Sequence, residues 1–182
     1  GFDEVEKCLN SIQAIQKSIQ MSVYVGMDLI AGFPGESIED FEWGLSVLKT
    51  LPWTRLHVFP YSEREGTPAT RLPDSVKLQE RKRRTQVLNE LSLQRQNILY
   101  HAEYERAKTS QEPLRDVLIE GYTRGPDGTR NWITGHSREY YRVLIPWKQS
   151  DPLPRNELMN VWLTGVILDQ AGGDAAFSAV TD

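Results

Sequence analysis

The stretch from Val76 to about Arg106 contains neither proline nor glycine, the two residues that break or weaken a helix interior. Val87, Leu88, Leu91, Ile98 and Leu99 supply its apolar positions, and the pattern predicts one long helix. A helix of that length divides the chain, and the sequence follows different rules on its two sides.

On the N-terminal side Val5, Leu9, Ile12, Ile15 and Ile19 recur at three- and four-residue spacing, which predicts a helix with one buried face. Val23 to Ala31 is apolar apart from Asp28, as a buried parallel strand requires. Gly32-Phe33-Pro34-Gly35 ends it, and Ser37 with Asp40 three residues on forms a capping box for a second helix carrying Ile38, Phe41, Leu45 and Leu48. Pro52 stops that helix, and Arg55 to Phe59 reads as a second strand. Helix, strand, helix, strand with short connections is the grammar of a parallel α/β sheet. Ser62 to Asp74, with Gly66, Pro68 and Pro73, is a loop leaving the second strand.

After Pro113 the pattern becomes short strands bounded by turns: Leu114 to Tyr122, Gly125-Pro126-Asp127-Gly128, Trp132 to Thr134, Tyr140 to Ile145 and Leu158 to Leu168. Such spacing predicts a compact all-β barrel of the oligonucleotide-binding kind. The division expected is therefore an α/β portion over 1–75, a connecting helix over 76–106 and a β module over 107–170. The Gly- and Ala-rich end over 171–182 is expected to be a flexible tail.

Composition narrows the function classes. Hydrophobic residues at 39% and charged residues at 25% describe a globular chain. No run approaches eighteen apolar residues and the N-terminus opens acidic, so neither a membrane span nor a signal peptide is expected and the location predicted is cytoplasmic. The one cysteine, Cys8, excludes an internal disulfide framework and a cysteine-only metal site within this chain, and its place between Val5 and Leu9 predicts a buried thiol. The net charge of −4 is uneven: residues 76–106 carry 7 basic and 4 acidic side chains, while both flanking blocks are acidic. Arg81, Lys82, Arg83 and Arg84 make this the segment suited to a polyanion, although a solvated helix face would look the same.

Asp28 to Glu36 is the most informative segment. A strand ending in a glycine-rich turn before a capped helix places backbone groups and the helix N-terminus at the C-terminal edge of a parallel sheet, where α/β enzymes bind ligands. A tight turn shaped by Pro34 and Gly35 is the plain alternative, and without a Walker lysine phosphate cradling is disfavoured. His57 and His136 read as structural or surface residues. Glu63, Arg64 and Glu65 read as a charged loop tip, from which Arg64 could meet a phosphate.

Paired with Leu56-His57-Val58-Phe59-Pro60-Tyr61-Ser62-Glu63-Arg64-Glu65-Gly66-Thr67-Pro68-Ala69, the first segment resembles the C-terminal half of the radical-SAM barrel in the methylthiotransferase family. The resemblance implies a partial (β/α) barrel and assigns Asp28, Ile30, Gly32, Phe59 and Tyr61 to S-adenosylmethionine binding. An aromatic such as Phe59 can stack on adenine and a carboxylate such as Asp28 can accept from ribose or amine groups; equally, Phe59 could be core and Asp28 a turn cap. The family's CxxxCxxC motif and its further cysteines, which hold two 4Fe-4S clusters, are absent from this sequence. The chain is therefore expected to be an inactive C-terminal fragment of an active parent, with no catalytic residue and no metal ligand of its own. An unpaired barrel edge in such a fragment would favour dimerisation.

Residues from Pro113 to Asp169, above all Ser137 to Pro146, resemble the TRAM module that ends many of these enzymes, although Trp147 to Pro154 departs from its usual glycine-containing continuation. The resemblance implies tRNA as partner, and the candidate RNA-binding residues are Arg83, Arg84, Arg124, Arg130, Trp132, Arg138, Tyr140 and Arg142, cations for phosphate and aromatics for stacking. Leu56 to Ser62 looks closest to the branch acting on N6-threonylcarbamoyladenosine next to the tRNA anticodon. The alternatives are a sibling that methylthiolates an aspartate of a ribosomal protein and a non-catalytic RNA-binding adaptor.

Overall fold

The computed structural model describes residues 2–19, 23–129, 131–148, 150–168 and 174–181. It divides into two compact units, Gly1–Ser92 and Leu93–Asp182.

In the N-terminal unit, helix α1 (Phe2–Ile19) leads to strand β1 (Gly26–Ala31), helix α2 (Ile38–Thr50), strand β2 (Arg55–Pro60) and a 3-10 turn (Pro68–Arg71). The two strands pair in parallel, with Asp28 beside His57 and Ile30 beside Phe59. Ser37 caps α2 reciprocally with Asp40, as its spacing requires. These bonds hold the Asp40 carboxyl below the usual carboxylate range, the Ser37 hydroxyl being the main cause. Leu9, Ala31, Phe41, Leu48, Leu51, Trp53, Leu56 and Leu88 form the core, and Met27, Leu29 and Val58 pack against it from one face of the sheet.

Two expectations for α1 are corrected. Of the predicted buried stripe only Leu9 is fully covered, while Val5, Ile15 and Ile19 are exposed. Cys8 is exposed as well. Val5 lies one turn before Leu9 on the same face and Ile15 and Ile19 lie beyond it, so the core of this unit covers only the middle of the helix.

Helix α3 runs Leu78–Ser110, and the unit division falls inside it. It is not a bare connector. Its buried positions are Arg81, Arg84, Leu88, Ser92, Gln96, Tyr100 and Glu103, a three- and four-residue stripe that is mostly polar. Ile98, expected on its apolar side, is exposed.

The C-terminal unit closes strands β3 (Leu114–Thr123), β4 (Trp132–His136), β5 (Arg142–Pro146), β6 (Leu158–Leu168) and β7 (Ala175–Val180) into a ring of order β3-β4-β5-β7-β6. All pairings are antiparallel except β5 with β7. Val117, Ile119, Ile133, Val143, Ile145, Val161, Phe177 and Ala179 fill its interior. The part of the expected flexible tail that is described is corrected by β7: Ala175, Ala176, Phe177 and Ala179 are buried. Small residues there let the strand close the ring against β6 without overfilling a narrow interior. The β7 Phe177 ring packs with Tyr100 of α3 and with Tyr141 at centroid distances of 4.7 and 5.5 Å. No helix among the described residues is long and apolar enough to cross a membrane.

Candidate functional site

Neighbouring residues of a parallel pair point to the same side of a sheet, so Asp28, Ile30, His57 and Phe59 share the face of β1–β2 opposite the core. That face is open. Ile30 and Phe59 stand side by side at its C-terminal end, 57% and 53% exposed. Phe59 is therefore not core, and an apolar surface of this kind with a carboxylate one row behind it suits a flat, partly polar ligand.

Gly32 and Tyr61 follow the two strands and lie inside the fold rather than on that face. Gly32 adopts φ +75°, and a Cβ there would come within 2.5 Å of Arg81 Cγ, so both its backbone conformation and its space call for glycine. Its N–H donates to Glu36 Oε2 at 2.6 Å. Tyr61 N–H donates to the Ala31 carbonyl at 2.8 Å, its ring meets Phe33 edge-on at 5.2 Å, and its hydroxyl is buried with no hydrogen-bond partner among the described residues.

Two arginines of α3 hold these turns. Arg81 donates to the carbonyls of Val76 and Tyr61 at 2.7 and 3.1 Å, to Glu63 Oε1 at 2.5 Å and to Ser75 Oγ at 2.9 Å. Its guanidinium lies 5.0 Å from the Tyr61 ring centroid. The hydrogen bond with Glu63 is the chief cause of an Arg81 pKa raised above its ordinary value and a Glu63 carboxyl held below its own. Arg84 binds the Glu36 carbonyl at 3.0 Å, the Glu36 carboxylate at 2.9 Å and Glu80 at 2.9 Å, and lies over Phe41. Arg84 was a candidate RNA contact. At 2% exposure, with its donors turned inward to two carboxylates, it presents no free face to a phosphate, and that assignment is corrected. Arg83 remains on the surface, bidentate to Glu80 at 2.8 and 2.7 Å. Arg83, and after it Arg84, hold the Glu80 carboxyl down to about 2.

The second candidate surface is the outside of the ring. His136 of β4 is paired in register with Arg142 of β5, and its ring stacks on Tyr140 at 4.9 Å. Arg142 Nε donates to Thr134 Oγ1 at 3.5 Å, so Thr134, His136, Tyr140 and Arg142 form one patch. Trp132, two residues before Thr134 on the same side of β4, is half-buried against the β3–β4 turn, where its Nε1 donates to Asp127 at 3.1 Å. Arg138 is exposed and paired with Asp116 at 2.6 Å, and Arg124 is exposed beyond the end of β3. Arg130 lies outside the described residues. His136, read as a structural or surface residue, is half-buried. Its Nδ1 meets Glu120 at 2.8 Å, a carboxylate sixteen positions away in sequence that the β3–β4 hairpin alone brings to it.

No family model matches the chain. Over 155 residues it is 37% identical to a tRNA-2-methylthio-N(6)-dimethylallyladenosine synthase of Symbiobacterium thermophilum, covering 85% of this chain and 30% of that protein. A protein of the same name from Desulfitobacterium hafniense is 33% identical over 156 residues, covering 80% of this chain and 32% of the relative. The relatives are synthases of a methylthiolated tRNA nucleoside. The chain spans about a third of the length of these synthases, so the similarity concerns one portion of them. Among the described residues no group of three or more His, Cys, Asp and Glu side chains could hold a metal ion.

Proposed function

We propose that this chain is a portion of a radical-SAM tRNA methylthiotransferase, contributing part of the S-adenosylmethionine site from β1–β2 and a tRNA-binding surface from the C-terminal ring. The observation that carries the reading is the C-terminal edge of β1–β2. Ile30 and Phe59 are exposed as neighbours there and Asp28 lies one row behind on the same face. Asp28, Ile30 and Phe59 fit the group: an apolar platform for adenine and a carboxylate acceptor for amine or ribose hydroxyls. When bound, S-adenosylmethionine with a reduced 4Fe-4S cluster supplies the radical chemistry; this chain's residues would bind and orient it and would hold no cluster themselves.

For the ring, a five-stranded closed architecture is one that oligonucleotide-binding modules use, which supports the TRAM reading. The patch of Thr134, His136, Tyr140 and Arg142 offers a stacked aromatic pair beside a cation, suited to an unpaired base and its phosphate.

The substrate proposed is N6-threonylcarbamoyladenosine in tRNA, on the resemblance of Leu56 to Ser62. A second reading, N6-dimethylallyladenosine, is favoured by the name the relatives carry. Mass spectrometry of tRNA nucleosides from a strain lacking the gene separates them. Loss of the methylthio form of threonylcarbamoyladenosine is the expected result. Loss of the dimethylallyl derivative instead establishes the second reading, and retention of both overturns a tRNA methylthiotransferase altogether.

A further inference from the structure

Arg81 touches both segments that the proposed cofactor site needs. Its aliphatic stem fills the space over Gly32, and its guanidinium reaches the Tyr61 carbonyl, Glu63 and Ser75 while lying across the Tyr61 ring. One side chain on α3 thus ties the turn after β1 to the loop after β2. Backbone bonds join the same segments, Tyr61 N–H to Ala31 and Gly35 N–H to the Asp74 carbonyl at 3.0 Å, but they leave the Tyr61 ring free to rotate. Arg81 and Phe33 remove that freedom.

We propose that Arg81 is a positioning residue for S-adenosylmethionine, setting where the Tyr61 ring and the Gly32 turn stand at the edge of β1–β2. The inference rests on the reading that this edge holds that cofactor.

Two features argue against a purely stabilising role. A buried arginine is a costly way to fill space, because apolar residues of similar volume stabilise as well or better. Its carboxylate partner Glu63 is itself 57% exposed, so screening takes much of the ion pair's value. What the planar fork provides is direction: it holds several acceptors from different segments in fixed relation, which a lysine ammonium cannot do. The Tyr61 ring, clamped between Arg81 and Phe33, then fixes the backbone that follows β2 beside the open face.

Binding of S-adenosylmethionine to the complete, cluster-loaded protein, followed by titration calorimetry for wild type, Arg81→Lys and Glu63→Ala, tests this. With melting temperature recorded alongside, Arg81→Lys is expected to raise Kd about tenfold, and Glu63→Ala about threefold at unchanged melting temperature. Should Arg81→Lys fail to fold, Glu63→Ala decides, since Glu63 sits on an exposed loop. Wild type that binds while the folded variants stay within a factor of 1.5 of it, by the calorimetric scale on which tenfold is about 1.4 kcal/mol, overturns the positioning role alone. Wild type that shows no saturable binding overturns the reading of the site, and the positioning role with it.

Discussion

Replacing Arg84 by alanine asks whether the basic segment of α3 is a phosphate contact or a clamp. In the folded chain Arg84 is 2% exposed and its donors reach the Glu36 carbonyl, the Glu36 carboxylate and Glu80. Removing it leaves two carboxylates without their buried partner and takes a guanidinium from the Phe41 ring. Breaking a fully buried pair costs about 3–5 kcal/mol. Glu36 and Glu80 keep 24% and 30% of their side chains exposed, so water recovers part of that, and about 3 kcal/mol is the expected loss. Arg83, one residue earlier and 53% exposed, is the control: its alanine variant should cost less than about 1 kcal/mol while weakening RNA binding. Urea unfolding followed by circular dichroism measures both. Equal losses for the two variants, or an Arg84→Ala midpoint indistinguishable from wild type, would refute the reasoning.

Three further outcomes follow from the same geometry. Phe177→Ala empties a site 0% exposed in the ring and should destabilise the C-terminal unit by about 3–5 kcal/mol; a change under about 1 kcal/mol in thermal unfolding would show that β7 does not close the ring. Gly135→Ala places a Cβ 2.3 Å from the Leu118 carbonyl oxygen, forcing β3 and β4 apart at a cost of about 1–3 kcal/mol, visible as faster amide exchange along that hairpin and absent if the strands are not in this register. The Glu80 carboxyl, depressed in the folded state to about 2, contributes stability that is full above the ordinary carboxylate pKa near 4.5 and is lost as pH falls toward 2. Glu80→Gln should therefore flatten the stability profile between those values, and an unchanged profile would remove the pair from the account.

The N-terminal elements were legible because each is written in local terms. Three- and four-residue apolar spacing, an apolar run before Gly32, a capping box at Ser37 and Asp40, and Pro52 after α2 all act within a few positions, and the observed elements follow them in kind, although β1, expected buried, is covered on one face only. Helix α3 was legible as a helix with an apolar side, while its buried polar residues were not. Val87, Leu88 and Leu91 do face the core, but Ile98 is exposed and the rest of the buried stripe is Arg81, Arg84, Ser92, Gln96 and Glu103 with Tyr100, which a hydrophobicity pattern does not mark. Arg81, Arg84 and Ser92 are tolerated inside because partners far away in sequence satisfy them, Glu63 and Glu36 for the arginines and the Leu56 N–H for Ser92 Oγ, while Glu103 pairs locally with Arg106. Long-range pairing of this kind leaves no local trace. The strand β7 was missed for a related reason, since alanines and a serine around one phenylalanine carry almost no strand preference, and only closure of the ring makes them a strand.

The site was legible in part, and the boundary is physical. Asp28, Ile30 and Phe59 were named through the family resemblance alone; the register of β1 and β2, with side chains alternating, is what puts the three on one face. Whether that face was core or open could not be read, because an isoleucine and a phenylalanine serve both purposes, and exposure alone separates them. The basic run at Arg81 to Arg84 shows the converse. Helical spacing puts positions 81 and 84 on one side and 82 and 83 on others, so four adjacent cations cannot all face one polyanion. Two turn inward to fix the loops at the sheet edge, and Arg83 is left on the surface paired with Glu80. A cation run in a sequence is therefore a census of charge and not yet a surface; the helix carrying it decides which members meet a partner and which hold the fold that presents it.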